Sequence, residues 1–328
     1  MDETVQEISR ALEVLNRRLW ENRAPRRVIE QWLDNFEVEQ SERPSERLHA
    51  QFLLSKFLYF GHREVKALLR TLFKEKYRYH LLEDFRKNLQ NSRDVGLFEK
   101  YLEYMVNLTR FIGVGNPSES GAHLLYWFRQ ENELPKEVFI HAHEMLLTDD
   151  AGNTQLARSD VKRYVFIDDF CGTGKQVKET LGSLVSQVRE VADKAGTSVF
   201  MAYYVLVGTV DGLDAVRKDV GFDKVDAVIR LDRSYKCFSP DSRLFRAHPE
   251  QIDKTFAQTM CAYYGERIQA NGPLGFGDAQ LLLGFHHNTP DNTMPIFWCD
   301  SEAWQPLFRR YLKLTNNQAA FGGDSNAK

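Results

Sequence analysis

The residues best suited to chemistry sit together in segment 164–176, Tyr-Val-Phe-Ile-Asp-Asp-Phe-Cys-Gly-Thr-Gly-Lys-Gln. An apolar run suited to a buried strand leads into adjacent carboxylates, Asp168 and Asp169. A loop follows, from Phe170 and Cys171 through Gly172, Thr173 and Gly174 to Lys175, and a helix is predicted beyond it. Open α/β sheets bind ligands in the crevice beyond the carboxyl ends of their strands. The two glycines let backbone N–H groups turn inward, and the helix N-terminus adds unpaired donors and the positive end of its dipole. This combination is shaped for a phosphate. The carboxylates would repel that phosphate, so their natural partners are sugar hydroxyls beside it, or Mg²⁺ bridging to a diphosphate. A tight acidic turn without a ligand is the plain alternative.

A Walker A loop requires Gly-x-x-x-x-Gly-Lys-Ser/Thr. Here Asp169 occupies the first glycine position and Gln176 the final hydroxyl position, so both requirements fail. The segment instead resembles the phosphoribosyl diphosphate (PRPP) loop of phosphoribosyltransferases, in which a hydrophobic strand, two acids, three variable residues and Thr-Gly follow one another. It departs from that pattern at Gln176, where many members carry Thr or Ser. The resemblance implies that Asp168 and Asp169 meet the ribose 2′- and 3′-hydroxyls. It also implies that Cys171, Gly172, Thr173, Gly174, Lys175 and Gln176 cradle the 5′-phosphate.

Segments 113–121, 124–129, 274–277 and 287–298 extend the likeness. They resemble a divergent group of phosphoribosyltransferase-like proteins, the PRTase-CE-like effectors predicted in bacterial conflict systems, some in retron-linked anti-phage operons. The expected fold is α/β, a type I phosphoribosyltransferase-like, mainly parallel sheet flanked by helices and preceded by an all-α region. The implied activity is at the anomeric carbon of a ribose 5-phosphate unit, with PRPP or a related nucleotide as ligand and Mg²⁺ on its diphosphate. Implied partners are a reverse transcriptase or another defence-operon protein docked on the N-terminal helices, and nucleic acid is a further candidate target. Two other readings stand beside it: a nucleotide sensor without turnover, and a partner-binding module whose loop is structural.

Supporting residues have double readings. Ser118, Ser120 and Gly121 could donate to the diphosphate, or Ser118 could simply cap a helix. Arg129 could reach a phosphate or lie on the surface. His287, Asn288 and Thr289 follow a predicted strand at 280–285, which suits base or leaving-group recognition and equally a hairpin loop. Cys171 has no placed base, which favours packing over nucleophilic chemistry. His141 and His143 suggest a metal only if further ligands join them. The basic, aromatic segment 230–246 suits a nucleotide contact or a solvated loop.

The elements that must position these groups follow from periodicity. The 328 residues are 43% apolar and 12% aromatic, which are globular values, and a net charge of −3 gives no whole-molecule argument for nucleic-acid or membrane binding. Four dispersed cysteines without a Cys-x-x-Cys pair argue against zinc or a disulfide framework. No secretory h-region opens the chain, and the longest apolar run, 199–208, is too short to cross about 30 Å of hydrocarbon, so a cytoplasmic location is expected.

Apolar stripes spaced by three and four predict successive helices over the first third, without strands. From residue 111, short β-rich runs alternate with helices: strands at 164–167, 199–207, 227–231, 280–285 and 294–298, a weaker strand at 138–141, and helices over 177–195, 213–218 and 249–269. Alternation of this kind implies right-handed crossovers and a mainly parallel sheet. The expected organisation is a helical region 1–110, an α/β domain 111–314 and a frayed tail 315–328.

Overall fold

The computed structural model describes residues 3–37, 45–115 and 120–310; Ser118 and the predicted tail lie outside them. In chain order the helices are α1 (Glu3–Arg18), α2 (Arg26–Leu33), α3 (Glu46–Ser55), α4 (His62–Thr71), α5 (Tyr79–Asn88), α6 (Val95–Asn107), α7 (Ser120–Glu131), α8 (Lys175–Lys194), α9 (Val210–Asp219) and α10 (Lys254–Ile268). A π-helical stretch, Leu72–Arg78, joins α4 to α5. The strands are β1 (Leu58–Phe60), β2 (Thr109–Gly113), β3 (Leu146–Thr148), β4 (Thr154–Leu156), β5 (Arg163–Cys171), β6 (Phe200–Thr209), β7 (Lys224–Leu231) and β8 (Leu283–Phe285).

Two compact units result. One comprises Met1–Tyr59, Glu250–Asp278 and Leu282–Lys328; the other comprises Phe60–Pro249 and Ala279–Leu281. In the first third, the boundary between these units falls after Tyr59. Helices α4 to α6 and the π-helical stretch between the first two fall in the same unit as the parallel sheet: Val65, Leu69, Tyr77, Leu81 and Phe85 are buried, and Tyr77 of the π-helical stretch meets Phe111 of β2 edge to face at 5.1 Å.

The second unit is built on a four-stranded sheet in the order β2-β5-β6-β7, parallel throughout. Strand β6 carries the unbroken apolar run and is buried on both faces, as its central position requires. Helix α8 turns Val177, Leu181, Val185, Val188 and Ala192 inward and is followed by Gly196 at φ +63°, a left-handed exit that glycine permits. Strand β2 breaks the expectation of an all-helical first third, as does the short β1. Its polar start hides it in the sequence, yet Arg110 is buried because its guanidinium donates to the carbonyls of Asn107 (2.8 Å) and Thr109 (2.7 Å). The weaker strand expected at 138–141 is instead a 3₁₀ turn, Lys136–Val138, and a single bridge from Phe139 to Phe111.

Thr109 also ties the helical layer to the sheet. Its hydroxyl donates to the Met105 carbonyl (2.7 Å), so the 2.7 Å contact with Tyr77 has the phenol as donor. Tyr77→Phe is expected to cost about 1 kcal/mol, the ordinary net value of a buried hydrogen bond, read from the urea midpoint.

The first unit has an aromatic core. Trp32 stacks on Phe297 at 5.3 Å, and both Trp32 and Trp304 donate their indole N–H to the Ile296 carbonyl, at 2.7 and 3.1 Å. The strand expected at 294–298 is in fact a buried 3₁₀ turn, Pro295–Phe297. Proline supplies no ladder N–H and pre-sets the φ of a first helical position, so the apolar run packs as a turn. The strand expected at 280–285 shortens to β8, which pairs with β1 and not with the four-stranded sheet.

Candidate functional site

Strand β5 runs further than its apolar residues suggest. Parallel pairing with β6 continues from Asp168 opposite Val205 to Cys171 opposite Gly208. Both acids are therefore held in the strand, and the free-running loop contracts to Gly172, Thr173 and Gly174 before α8 begins at Lys175. On the other side of β5, Gly113 of β2 lies opposite Ile167, and the Val114 N–H donates to the Ile167 carbonyl at 3.1 Å. The turn through Gly115 (φ +100°) thus leaves the sheet at the same edge as the acids. Ser120 and Gly121 open α7 beyond that turn.

The acids are not equivalent. Asp168 is 8% exposed and accepts the Tyr203 hydroxyl at 3.0 Å, while its other oxygen accepts the Asp169 backbone N–H at 2.9 Å. Tyr203 is itself buried and stacks on Phe222 at 5.8 Å. Burial, and then the charge of Asp169, hold the Asp168 carboxyl well above the usual carboxylate range, against the Tyr203 bond. Asp169 is half-buried beside it, near the carboxyl end of β5. The first acid is buried and anchored, and the second is half-buried beside it.

The loop is clamped from behind by the β6–α9 junction. Thr209 caps α9, accepting the Gly212 N–H at 3.0 Å while donating to the Gly172 carbonyl. A Cβ on Gly212 would lie 2.1 Å from that carbonyl oxygen. Gly174 sits at φ +74°, and a Cβ there would meet the Gly212 carbonyl at 2.8 Å. Both glycines are required for the approach of two backbones, and Gly174 also for its left-handed turn into the helix. The sequence pattern singles out Gly174 but gives no sign of Tyr203, Thr209 or Gly212.

Cys171 is buried, and its thiol is pushed up to about 12 by desolvation and by Asp168, although the Tyr203 and Gly174 N–H bonds oppose the shift. Such a thiol is a packing group. Iodoacetamide at pH 8 is expected to leave Cys171 unmodified in the folded chain and to alkylate it in urea, as read by peptide mass spectrometry; labelling at equal rates in both states would refute this.

The remaining candidates are dispersed. Lys175 and Gln176 are exposed in the first turn of α8, and the Lys175 ammonium lies 3.8 Å from Glu179. Arg129 rests over the Tyr126 ring at 5.9 Å. His287, Asn288 and Thr289 lie in the other unit after β8. There Thr289 is buried, donating its hydroxyl to the Phe308 carbonyl at 3.0 Å, and His287 stacks on Phe285 at 5.4 Å.

In segment 230–246, Arg230 pairs with Asp226, Arg233 with Asp211, and Arg243 with Asp232 and the Tyr235 ring. His141 and His143 stack on each other, and no group of three or more His, Cys, Asp or Glu residues is arranged to hold a metal among the described residues. Nor is any helix among them long and apolar enough to cross a membrane.

The PRTase-CE family profile matches residues 29–310. Comparison with curated proteins gives no match. Solved structures with similarity include orotate phosphoribosyltransferase from Aeropyrum pernix, at 18% identity over 40% of this chain and 73% of that one, TM-score 0.23. The hypoxanthine phosphoribosyltransferase of Trypanosoma cruzi matches at 12% identity over 52% of this chain and 81% of that one, TM-score 0.25. Adenine phosphoribosyl transferase from Trypanosoma brucei, in complex with AMP, pyrophosphate and ribose-5-phosphate, matches at 14% identity over 56% and 76%, TM-score 0.23.

Proposed function

Since the chain belongs to the PRTase-CE family, we propose that it binds PRPP or a related ribose phosphate through residues 168–176 and acts at the anomeric carbon of that ligand as an effector of antiviral defence. The observation that carries this reading is the three-residue turn, Gly172–Thr173–Gly174, running from a strand that ends in paired acids straight into the 20-residue helix α8. Backbone N–H groups of the turn and the first turn of α8 receive the 5′-phosphate, where the helix dipole favours negative charge. Asp169 accepts the ribose hydroxyls. Asp168, held by Tyr203, fixes the backbone from which Asp169 projects.

The donor set fits Mg²⁺ delivered by the ligand better than Mg²⁺ in an all-protein cage. Magnesium typically takes one or two carboxylates and otherwise keeps phosphate oxygens and water, and Asp169 is the less buried of the two acids near the end of β5. When bound, the ion neutralises charge on the departing diphosphate. The chain's own part is positioning and charge: the turn holds the phosphate end, and the carboxylate lies where positive charge develops on the ribose.

Calorimetry with PRPP and Mg²⁺ is the direct test, and absence of heat would sink the reading. Gln176 favours a second one, a sensor without turnover, because its position lacks the hydroxyl common in the loop it resembles. Diphosphate release separates the two. Plaque counts with the wild type and Asp169→Asn test the defence role.

A further inference from the structure

We infer a second ligand site in the sheet-bearing unit: a cleft of about 480 Å³ between the π-helical stretch, α5 and α6 that takes a nucleoside monophosphate. The volume falls within the range of small-molecule sites, about 300–1,000 Å³. The floor is apolar, with Leu82, Phe85 and Phe98, and the two rings meet at 65° with centroids 5.5 Å apart. At the mouth, Tyr79 is 54% and Val95 70% exposed, although both are apolar enough to favour cover. A flat base supplies that cover through stacking.

The charge around this floor is unbalanced. Arg78 is neutralised by Glu99, and Asp94 uses its carboxylate to cap α6, accepting the Leu97 N–H at 2.9 Å. Among the described residues, the side chains of Lys74, Arg86 and Arg93 have no ion pair or hydrogen bond, and Glu75 is the one lining acid in the same condition. Three uncommitted cations against one uncommitted acid favour an anion, and two of the three are arginines, whose planar fork suits phosphate.

A second feature points to the same place. π-Helical turns are rare and concentrate at functional sites. This one turns Tyr77 inward to Thr109 while Lys74, Glu75 and Arg78 line the cleft. An anionic sugar without a base would leave the floor uncovered, and an apolar ligand would leave the cations unpaired.

The test is photolabelling of the full chain with 8-azido-AMP, followed by peptide mapping. Saturable labelling between residues 74 and 99, competed by AMP, is the expected result. Arg86→Gln with Arg93→Gln, two exposed changes, should weaken that labelling at least tenfold while leaving the thermal melt in place. Labelling confined to 164–176, no saturable labelling, or unchanged affinity in the double variant would each overturn the proposal. So would protection by an acidic amphipathic peptide but not by AMP. Because 164–176 is read in the same map, failure here is separable from failure of the PRPP reading.

Discussion

Asp169→Asn is expected to abolish measurable binding of PRPP with Mg²⁺, a loss of at least about 100-fold, because hydrogen bonds to a charged acceptor contribute roughly 1.5–3 kcal/mol each and the proposed site sets this carboxylate against two hydroxyls. The fold should survive, and the melt near neutral pH should rise rather than fall, since removing this charge relieves one of the causes that hold Asp168 above its ordinary range. Asp168→Asn should behave differently. The buried carboxyl is held above its ordinary range, so the fold favours its protonated form while the unfolded chain releases the proton near pH ~3.9. The stability contributed by neutral Asp168 is therefore fully present below about pH 4 and is lost as pH rises toward the folded value.

Asparagine does not titrate, and it presents an amide N–H where the neutral acid presents an O–H. The melting temperature of Asp168→Asn relative to wild type should climb between pH 4 and 8, gaining about 2–4 °C for each kcal/mol recovered. A difference that is flat with pH, or that falls, would refute the buried neutral carboxyl. Calorimetry on both variants then reports which acid the ligand meets.

Gly212→Ala is expected to eliminate ligand binding without altering any group that touches the ligand. Its new methyl would lie 2.1 Å from the Gly172 carbonyl oxygen, and backbone, unlike the end of a long side chain, yields only by moving the whole turn. Overpacking of this kind costs about 1–3 kcal/mol of stability, and the displaced N–H groups no longer converge on one phosphate. Gly182→Ala is the control. Nothing lies within 4 Å of a Cβ there, and Gly182 is interior to α8, so the change should stabilise by up to about 1 kcal/mol and leave binding intact. Both are read by urea unfolding and calorimetry. A Gly212→Ala protein that binds normally would mean that the clamp does not set the loop.

The parts of this fold that could be read from sequence are those whose information is local. Strand β5, helix α8 and the glycine turn between them follow from an apolar run, a three-and-four spacing and residue types that suit a phosphate. The true end of β5 does not, because Asp168 to Cys171 are kept extended by pairing with β6, and polar residues in that stretch look like loop. Tyr203 and Thr209 lie 35 and 37 positions from the groups they bond, so no pattern within the motif announces them. Helices α4 and α6 are legible as amphipathic, but an apolar stripe does not name the surface it covers. The run at 294–298 failed for a related reason: buried turns and buried strands are equally apolar, and only Pro295 separates them.

The clamp behind Gly172 has a consequence for anyone who would move this loop. The nine residues from Asp168 to Gln176 look portable, yet their curvature is borrowed from Thr209 and Gly212 on the next strand–helix junction. A graft of 168–176 alone into another parallel sheet would carry the letters of the cradle without its template. The transplantable unit is two adjacent junctions together, and variation in one over evolutionary time should be legible as compensating variation in the other.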